Sequence, residues 1–182
     1  MKATALSGTT AVLFDYQNPL VKKAIWALKY HRKRALGKYF GNALYREFFK
    51  QLAQGNRMMR EEIILIPIPG NKKAVAMRGY NHSEIIARVI AQCGQADGMR
   101  MKSLSTILYK KKENERQVSA REKAHREKNV ADVFEVRNGD ILRGKSVVLI
   151  DDVITTGATV RAARRVIKAY GPKRILTIAV AH

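Results

Sequence analysis

Apolar residues along this chain switch between two patterns. Ile63 to Ile68 and Ser146 to Ile150 are nearly continuous β-branched or apolar runs, as expected of strands buried on both faces of a parallel sheet. Between them Ile85, Ile86, Val89 and Ile90 recur at helical spacing from Asn81 to Gly94. Asn81 stands at the cap position and Glu84 three residues on, a capping-box spacing. Val160 onward is amphipathic and ends near Gly171-Pro172. Further strands are predicted over Leu104–Tyr109, Val130–Val136 and Arg174–Val180, with a turn at Asn138-Gly139. Upstream, Ala11–Tyr16 reads as a short strand. Asn18-Pro19 opens a helix with Asn as cap and Pro at the first helical position. A second helix is predicted over Leu36–Ala53, where Phe40, Leu44, Phe48 and Leu52 recur at intervals of four.

Strand and helix alternate from Ile63 onward, which predicts an α/β fold: a doubly wound, mainly parallel sheet with helices on both faces. Residues 1–55 are expected to form a small helical or mixed N-terminal hood over the pocket, and residues 56–182 the core, in one compact domain. A chain of 182 residues buries roughly 70% of its unfolded surface, enough for one sizeable core.

The clearest chemistry lies in Leu149-Ile-Asp-Asp-Val-Ile-Thr-Thr-Gly-Ala-Thr-Val160. Asp151 and Asp152 fall at the carboxyl end of a buried strand, where open α/β sheets place their ligands. Thr155, Thr156, Gly157, Ala158 and Thr159 form a short polar turn before a helix. Backbone N–H groups of such a turn, with the positive end of the following helix, suit an anion. Two carboxylates repel a phosphate, so their natural partners are neutral hydroxyls. A ribose 5-phosphate meets both demands, with its phosphate in the turn and its hydroxyls on the aspartates. No Walker Gly-x-x-x-x-Gly-Lys-Ser/Thr and no Gly-x-Gly-x-x-Gly occurs. A second basic loop, Gly70 to Tyr80, lies between the Ile63 strand and the Asn81 helix and again describes an anion site.

The acidic run resembles the phosphoribosyl-pyrophosphate (PRPP) motif of type I phosphoribosyltransferases. Ile66-Pro-Ile-Pro-Gly-Asn-Lys-Lys and Arg78-Gly-Tyr-Asn-His-Ser-Glu are similar to segments of the ComF (competence protein F) branch. Gln117, Arg121, Asn129 and Phe134 follow in that branch's order, and Ala27-Leu-Lys-Tyr resembles its N-terminal region, so the resemblance spans about residues 14 to 182. It departs in one respect: many ComF proteins carry a four-cysteine zinc module, and this chain has only Cys93, as a truncated or a short form would. The resemblance implies that Asp151 and Asp152 are catalytic, hold the ribose and bind Mg²⁺ through water. Thr155 to Thr159 would take the 5-phosphate. Gly70, Asn71, Lys72 and Lys73 would receive pyrophosphate, and Arg78 either binds the same anion or anchors the loop. Residues 110–128 would be the flexible loop that closes over PRPP, with Gln117 and Arg121 as the residues to watch.

Charge widens the reading. Thirty-five Lys and Arg against fifteen Asp and Glu give a net charge of +20, a field that attracts polyanions whatever the protein's task. Lys29 to Arg34, Lys110 to Lys112 and Arg121 to Lys128 are the concentrated basic stretches. They are either an unselective solvated surface or the lining of a groove for single-stranded DNA or RNA. Two functions therefore stand side by side: a Mg²⁺-dependent phosphoribosyltransferase, and a nucleic-acid-handling protein of DNA uptake that uses the pocket as a nucleotide or PRPP sensor. A homodimer is left open. A lone cysteine excludes a disulfide framework, and Cys93 is expected to be a packed thiol. His31, His82, His125 and His182 are too scattered for a metal site or triad, and most are expected at the surface. No apolar signal core or run approaching 18 residues is present, so an integral membrane protein is not expected and cytoplasm is the expected location.

Overall fold

The structure, a computed structural model, describes residues 4–7, 9–50, 61–111 and 133–182. In chain order its strands are β1 (Thr4–Ser7), β2 (Thr10–Phe14), β3 (Ile63–Pro67), β4 (Met101–Ser103), β5 (Leu108–Lys110), β6 (Phe134–Val136), β7 (Ser146–Val153) and β8 (Arg174–Ala181). Its α-helices are α1 (Pro19–Tyr30), α2 (Arg34–Leu44), α3 (Lys72–Arg78), α4 (His82–Ala96) and α5 (Ala158–Lys168). Six strands form one sheet in the order β1-β2-β8-β7-β3-β4. All neighbours in it are parallel except β1, which runs antiparallel to β2 at the edge. This is the doubly wound α/β architecture that the alternation predicts.

The apolar runs are continuous because each strand feeds two cores. Ile63, Leu65, Val148 and Ile150 face a layer built with Ile25, Leu28, Phe40, Leu44, Ile86 and Ile90 of α1, α2 and α4. Ile64, Ile66, Val147 and Leu149 face Val160, Ala163 and Ile167 of α5 together with Phe134 of β6. Full burial of one such side chain stabilises by about 1.5–3 kcal/mol, so a polar residue at any of these positions opposes the fold on one face or the other. Helices α2 and α4 approach closely at Gly41, where an added Cβ would stand 2.7 Å from Val89 Cβ.

The N-terminal region joins this framework directly. Strands β1 and β2 extend the sheet, and α1 and α2 cover one face. Asn18 Oδ1 accepts from the N–H groups of Leu20 (2.9 Å) and Val21 (3.4 Å), with Pro19 at the first helical position as its sequence implies. The predicted second helix changes pitch: α2 gives way to a π-helical turn over Tyr45–Phe49. That turn buries both Tyr45 and Phe49, whose rings stack 6.2 Å apart, and Tyr45 Oη donates to Asp97 Oδ2 at 2.6 Å. Residues 51–60 lie outside the described residues.

Two other expectations need correction. The strand predicted over Leu104–Tyr109 is mostly a turn: β4 has already ended at Ser103, and only Leu108 and Tyr109 are strand, in β5. β5 leaves the main sheet and pairs antiparallel with β6. The predicted loop Gly70 to Tyr80 contains α3, since Lys-Lys-Ala-Val-Ala-Met-Arg are mostly good helix formers and Asn71 Oδ1 caps Ala74 N–H at 3.2 Å.

Chain direction positions the site. From β3 the chain winds through α4 outward to β4, and from β7 it winds through α5 the other way to β8. The carboxyl ends of the adjacent strands β3 and β7 therefore flank the switch point, where such sheets bind ligands.

Candidate functional site

Asp151 and Asp152 stand at the carboxyl end of β7, on that switch point. Asp152 is buried, at 7% exposure. Lys29 Nζ, from the last turn of α1, lies 3.0 Å from its Oδ1, and His82 Nδ1, from the first turn of α4, lies 3.5 Å from its Oδ2. Asp151 Oδ1 accepts from the Asp152 N–H at 2.8 Å and from Ser83 Oγ at 3.4 Å. Burial, followed by the negative charge of Asp152, holds the Asp151 carboxyl well above the usual carboxylate range.

The framework around the pair is fixed by hydrogen bonds from the loop after β3. Arg78 donates from Nε to the Ala74 carbonyl (2.8 Å) and from Nη1 to the Lys29 carbonyl (3.2 Å). Tyr80 Oη donates to the Leu28 carbonyl at 2.7 Å. Together they bind the end of α1 from which Lys29 projects. Asn81 caps α4 by accepting from Ser83 N–H at 3.3 Å, and its Nδ2 donates to the Ile68 carbonyl at 2.9 Å. The predicted capping-box partner Glu84 instead accepts from Arg88 Nη2 at 2.8 Å.

His82 is buried, at 6% exposure, against the expectation that most histidines lie at the surface; His31 and His182 are exposed, and His125 lies outside the described residues. Burial drives its pKa down to about 4, against the pull of Asp152, so the ring is neutral at pH 7. Arg78 Nη1 lies 3.2 Å from His82 Nε2. A guanidinium only donates, so Nε2 is the acceptor and Nδ1 carries the hydrogen toward Asp152. The approach of His82 to Asp152 is thus that of a neutral ring at 3.5 Å, and among the described residues Lys29 is the cation on the pair.

A cavity of about 240 Å³ opens on these groups, lined by Lys29, Gly70, Asn71, His82, Asp151 and Asp152 among others. Arg78 also lines it, and its hydrogen bonds make it the anchor of the loop. Lys72 lines a separate cavity of about 360 Å³ between α3 and β5, and Lys73 is exposed on α3. Thr155 and Thr156 are exposed on the turn that follows β7, Thr159 is exposed in the first turn of α5, and Gly157 and Ala158 are half-buried. Gly157 has φ 73°, a left-handed conformation that lets the chain leave β7 and enter α5. Ala158 N–H donates to Thr156 Oγ1 at 3.4 Å, and Arg161 Nη1 to the Thr156 carbonyl at 2.9 Å. Gln117 and Arg121 lie outside the described residues. A larger cavity, about 490 Å³, lies between α2 and α4 and is lined by Arg34, Lys38 and Arg88, away from the acidic pair.

Lys29, His82 and Ser83 are the site residues that sequence reasoning does not assign. Their only signal is membership of the Ala27-Leu-Lys-Tyr and Arg78-Gly-Tyr-Asn-His-Ser-Glu segments. Among the described residues no group of three or more His, Cys, Asp or Glu gathers as a metal centre. The donors here are two carboxylates and a hydroxyl, which fits a hard cation that keeps waters and takes further ligands from a substrate phosphate. Among the same residues no helix is long and apolar enough to cross a membrane.

The sequence matches the phosphoribosyl transferase domain family over residues 74–182. No curated protein matches it. Among solved structures the chain is similar to the hypoxanthine-guanine phosphoribosyl transferase of L. donovani, with 12% identity over 80% of this chain and 71% of that one and a TM-score of 0.46. It is similar to a hypoxanthine phosphoribosyltransferase from Staphylococcus aureus at 8% identity over 78% and 62%, TM-score 0.46. A third likeness, to phosphoribosylpyrophosphate synthetase from Mycobacterium smegmatis, has 16% identity over 72% of this chain and a TM-score of 0.39, and the chain spans 32% of that protein. The family match takes in α4, the acidic end of β7, the threonine turn and α5, more than half of the sequence, and on it the chain belongs to the phosphoribosyl transferase domain family.

Proposed function

We propose that this protein binds PRPP and transfers its phosphoribosyl group to an acceptor with release of pyrophosphate, in a Mg²⁺-dependent reaction, and that it is of the competence-associated ComF type. The carrying observation is the acidic pair at the switch point, which faces the Gly70–Asn71 loop across one cavity with, among the described residues, a single cation, Lys29, bonded to it. Asp151 and Asp152 hold the ribose hydroxyls. Backbone amides of Thr155 to Thr159 hold the 5-phosphate at the start of α5. Of the loop expected to receive the pyrophosphate, Gly70 and Asn71 line this cavity and take that role, while Lys72 and Lys73 lie outside it and contribute positive charge from α3. As the bond from C1 to pyrophosphate breaks, both electrons leave with the pyrophosphate and positive charge builds on the ring. The two carboxylates face that charge, and the acceptor's lone pair then closes the new bond at C1. Mg²⁺, held through water by Asp151 and Asp152, supplies neutralisation of the leaving group when bound.

Thermal unfolding with PRPP, with and without Mg²⁺, tests this reading. At a hundredfold excess over Kd, binding adds about 2.7 kcal/mol, a rise of roughly 5–10 °C for a domain of this size. The rise is expected to need Mg²⁺ and to vanish in Asp152→Asn. An unchanged melting curve at saturating PRPP overturns the proposal.

A second reading rests on the net charge of +20 and on the cavity between α2 and α4 lined by Arg34, Lys38 and Arg88. In it the chain handles single-stranded DNA or RNA and the pocket senses a nucleotide or PRPP. Six to ten phosphate contacts would cost about 10³–10⁵ in affinity between 50 and 200 mM salt. Binding that is flat across that range sinks this second reading.

A further inference from the structure

Among the described residues, Lys29 and Arg78 are the cationic side chains that line the acidic cavity, and they are held in different ways. Arg78 is committed to two backbone carbonyls and to His82 Nε2, contacts that fix the loop and the end of α1. Lys29 has its backbone held by Arg78, while its ammonium pairs with Asp152 Oδ1 and its side chain remains 27% exposed. A lysine head on a flexible four-carbon stem, anchored at its base and open at its tip, can change partners without moving the helix. His82 Nδ1 lies 3.5 Å from the other oxygen, Oδ2, so Lys29 and His82 approach different oxygens of Asp152. The same cavity is lined by Gly70 and Asn71, so Lys29 stands between the carboxylates and the β3 loop. Lys72, the basic residue that the sequence places at that loop, lines the neighbouring cavity instead, and Lys73 is exposed on α3.

We propose that Lys29 is an exchangeable counterion: paired with Asp152 in this structure, it turns to the anionic C1 substituent of a phosphorylated sugar once the sugar's hydroxyls take over Asp152 Oδ1. This rests on the PRPP reading and deepens it by naming the side chain that distinguishes a diphosphate-bearing sugar from one with a free C1 hydroxyl. Exchange keeps the charge count near the pair balanced. The ammonium leaves the carboxylate as hydroxyl donors arrive, and it meets a charge that a bare ribose 5-phosphate lacks at that end. Lys29 is thus a residue of substrate selection.

Calorimetric titration of the full chain with PRPP and, separately, with ribose 5-phosphate tests the proposal, both at the same Mg²⁺ concentration. Lys29→Gln is the principal variant, since its amide still donates to Asp152 while the charge is gone; Lys29→Met is the second. In both variants PRPP affinity is expected to fall by about tenfold or more, the loss of one charge-assisted contact, with ribose 5-phosphate affinity changed by less than about twofold. Equal losses for the two ligands, or no loss for PRPP, overturn the exchange and leave Lys29 as a fixed partner of Asp152. The same conclusion follows if neither variant folds. Wild-type protein that binds ribose 5-phosphate but holds PRPP no more tightly overturns the inference while the sugar-phosphate pocket stands. Wild-type protein that binds neither ligand overturns the proposed function and this inference with it.

Discussion

The two ends of the sheet each carry adjacent carboxylates, and the protein treats them in opposite ways. At the amino end, Glu61 accepts from Lys173 Nζ (2.6 Å), Ser146 Oγ (2.8 Å) and Arg174. Glu62 beside it accepts from Lys145 Nζ (2.6 Å) and Lys102 Nζ (3.2 Å), with Arg100 at 3.9 Å. Cations outnumber carboxylates there, and both pKa values are held down to about 2, chiefly by the lysine hydrogen bonds. At the carboxyl end, Lys29 is the one cation among the described residues bonded to the Asp151–Asp152 pair, and burial and mutual repulsion push Asp151 up instead. The first cluster is satisfied from within the chain and ties β3, β7 and β8 together. The second keeps an electrostatic demand that the proposed ligand would meet. That contrast, more than the presence of acidic residues, separates a structural clamp from a binding site.

The contrast is sharpest if the clamp is removed. Glu61→Gln with Glu62→Gln is expected to destabilise the fold by about 2 kcal/mol, several charge-assisted bonds discounted for their partial exposure. The measurement is the denaturant midpoint at unchanged slope. PRPP affinity in the same variant is expected to stay within about threefold, because the two ends share no partners. A parallel fall in affinity would show that the clamp and the site are one coupled unit, and the comparison would fail.

At the other end the sign reverses. Asp151→Asn keeps an oxygen to accept from Asp152 N–H and Ser83 Oγ, and it removes a charge that burial disfavours. It is expected to stabilise the Mg²⁺-free protein at about pH 8 by about 1 kcal/mol, a rise of roughly 2–4 °C, while PRPP binding is lost. A melting point below that of the wild type would mean that the charged form of Asp151 is favoured by its surroundings.

How much of this was legible in the sequence depended on distance along the chain. Buried parallel strands declare themselves locally, so β3, β7 and β8 were predicted within a few residues of their observed ends. The Asn18-Pro19 cap was legible for the same reason. The course between Gly70 and Lys110 was not. Helix propensity in Lys72–Arg78 competed with the family expectation of a loop, and the departure of β5 from the main sheet depends on its pairing with the distant β6. In the site, the acidic pair was visible because its residues are consecutive. Lys29 and His82 were not, since each meets Asp152 only after α1 and α4 pack on the sheet. A lysine in a basic stretch and a lone histidine look like surface residues until the fold shows them against a buried carboxylate. The clamp was invisible for the same reason, its cations being gathered from three separate segments.

The smallest effect is also the one most specific to the comparison, because it concerns the direction of a slope. In the unfolded chain Asp151 loses its proton near pH 4, the ordinary value for aspartate, whereas in the folded protein it holds the proton to higher pH. Over that window the native state binds more protons than the unfolded state, so this residue's contribution to stability falls as pH rises. Glu61 and Glu62 act in reverse: their pKa values are depressed, so their contribution is present above about pH 4.5 and is lost as pH falls toward 2. Denaturant midpoints in Mg²⁺-free buffer from about pH 8 down to pH 3 separate the two. The advantage of Asp151→Asn over wild type is expected to shrink as pH falls from about 8 to 5, because a protonated aspartic acid and an asparagine carry the same charge. The deficit of the Glu61→Gln, Glu62→Gln variant should persist through that range and close only below about pH 4.5. If both differences vary together with pH, the two carboxylate pairs feel the same field, and the distinction between a satisfied clamp and an unsatisfied site disappears.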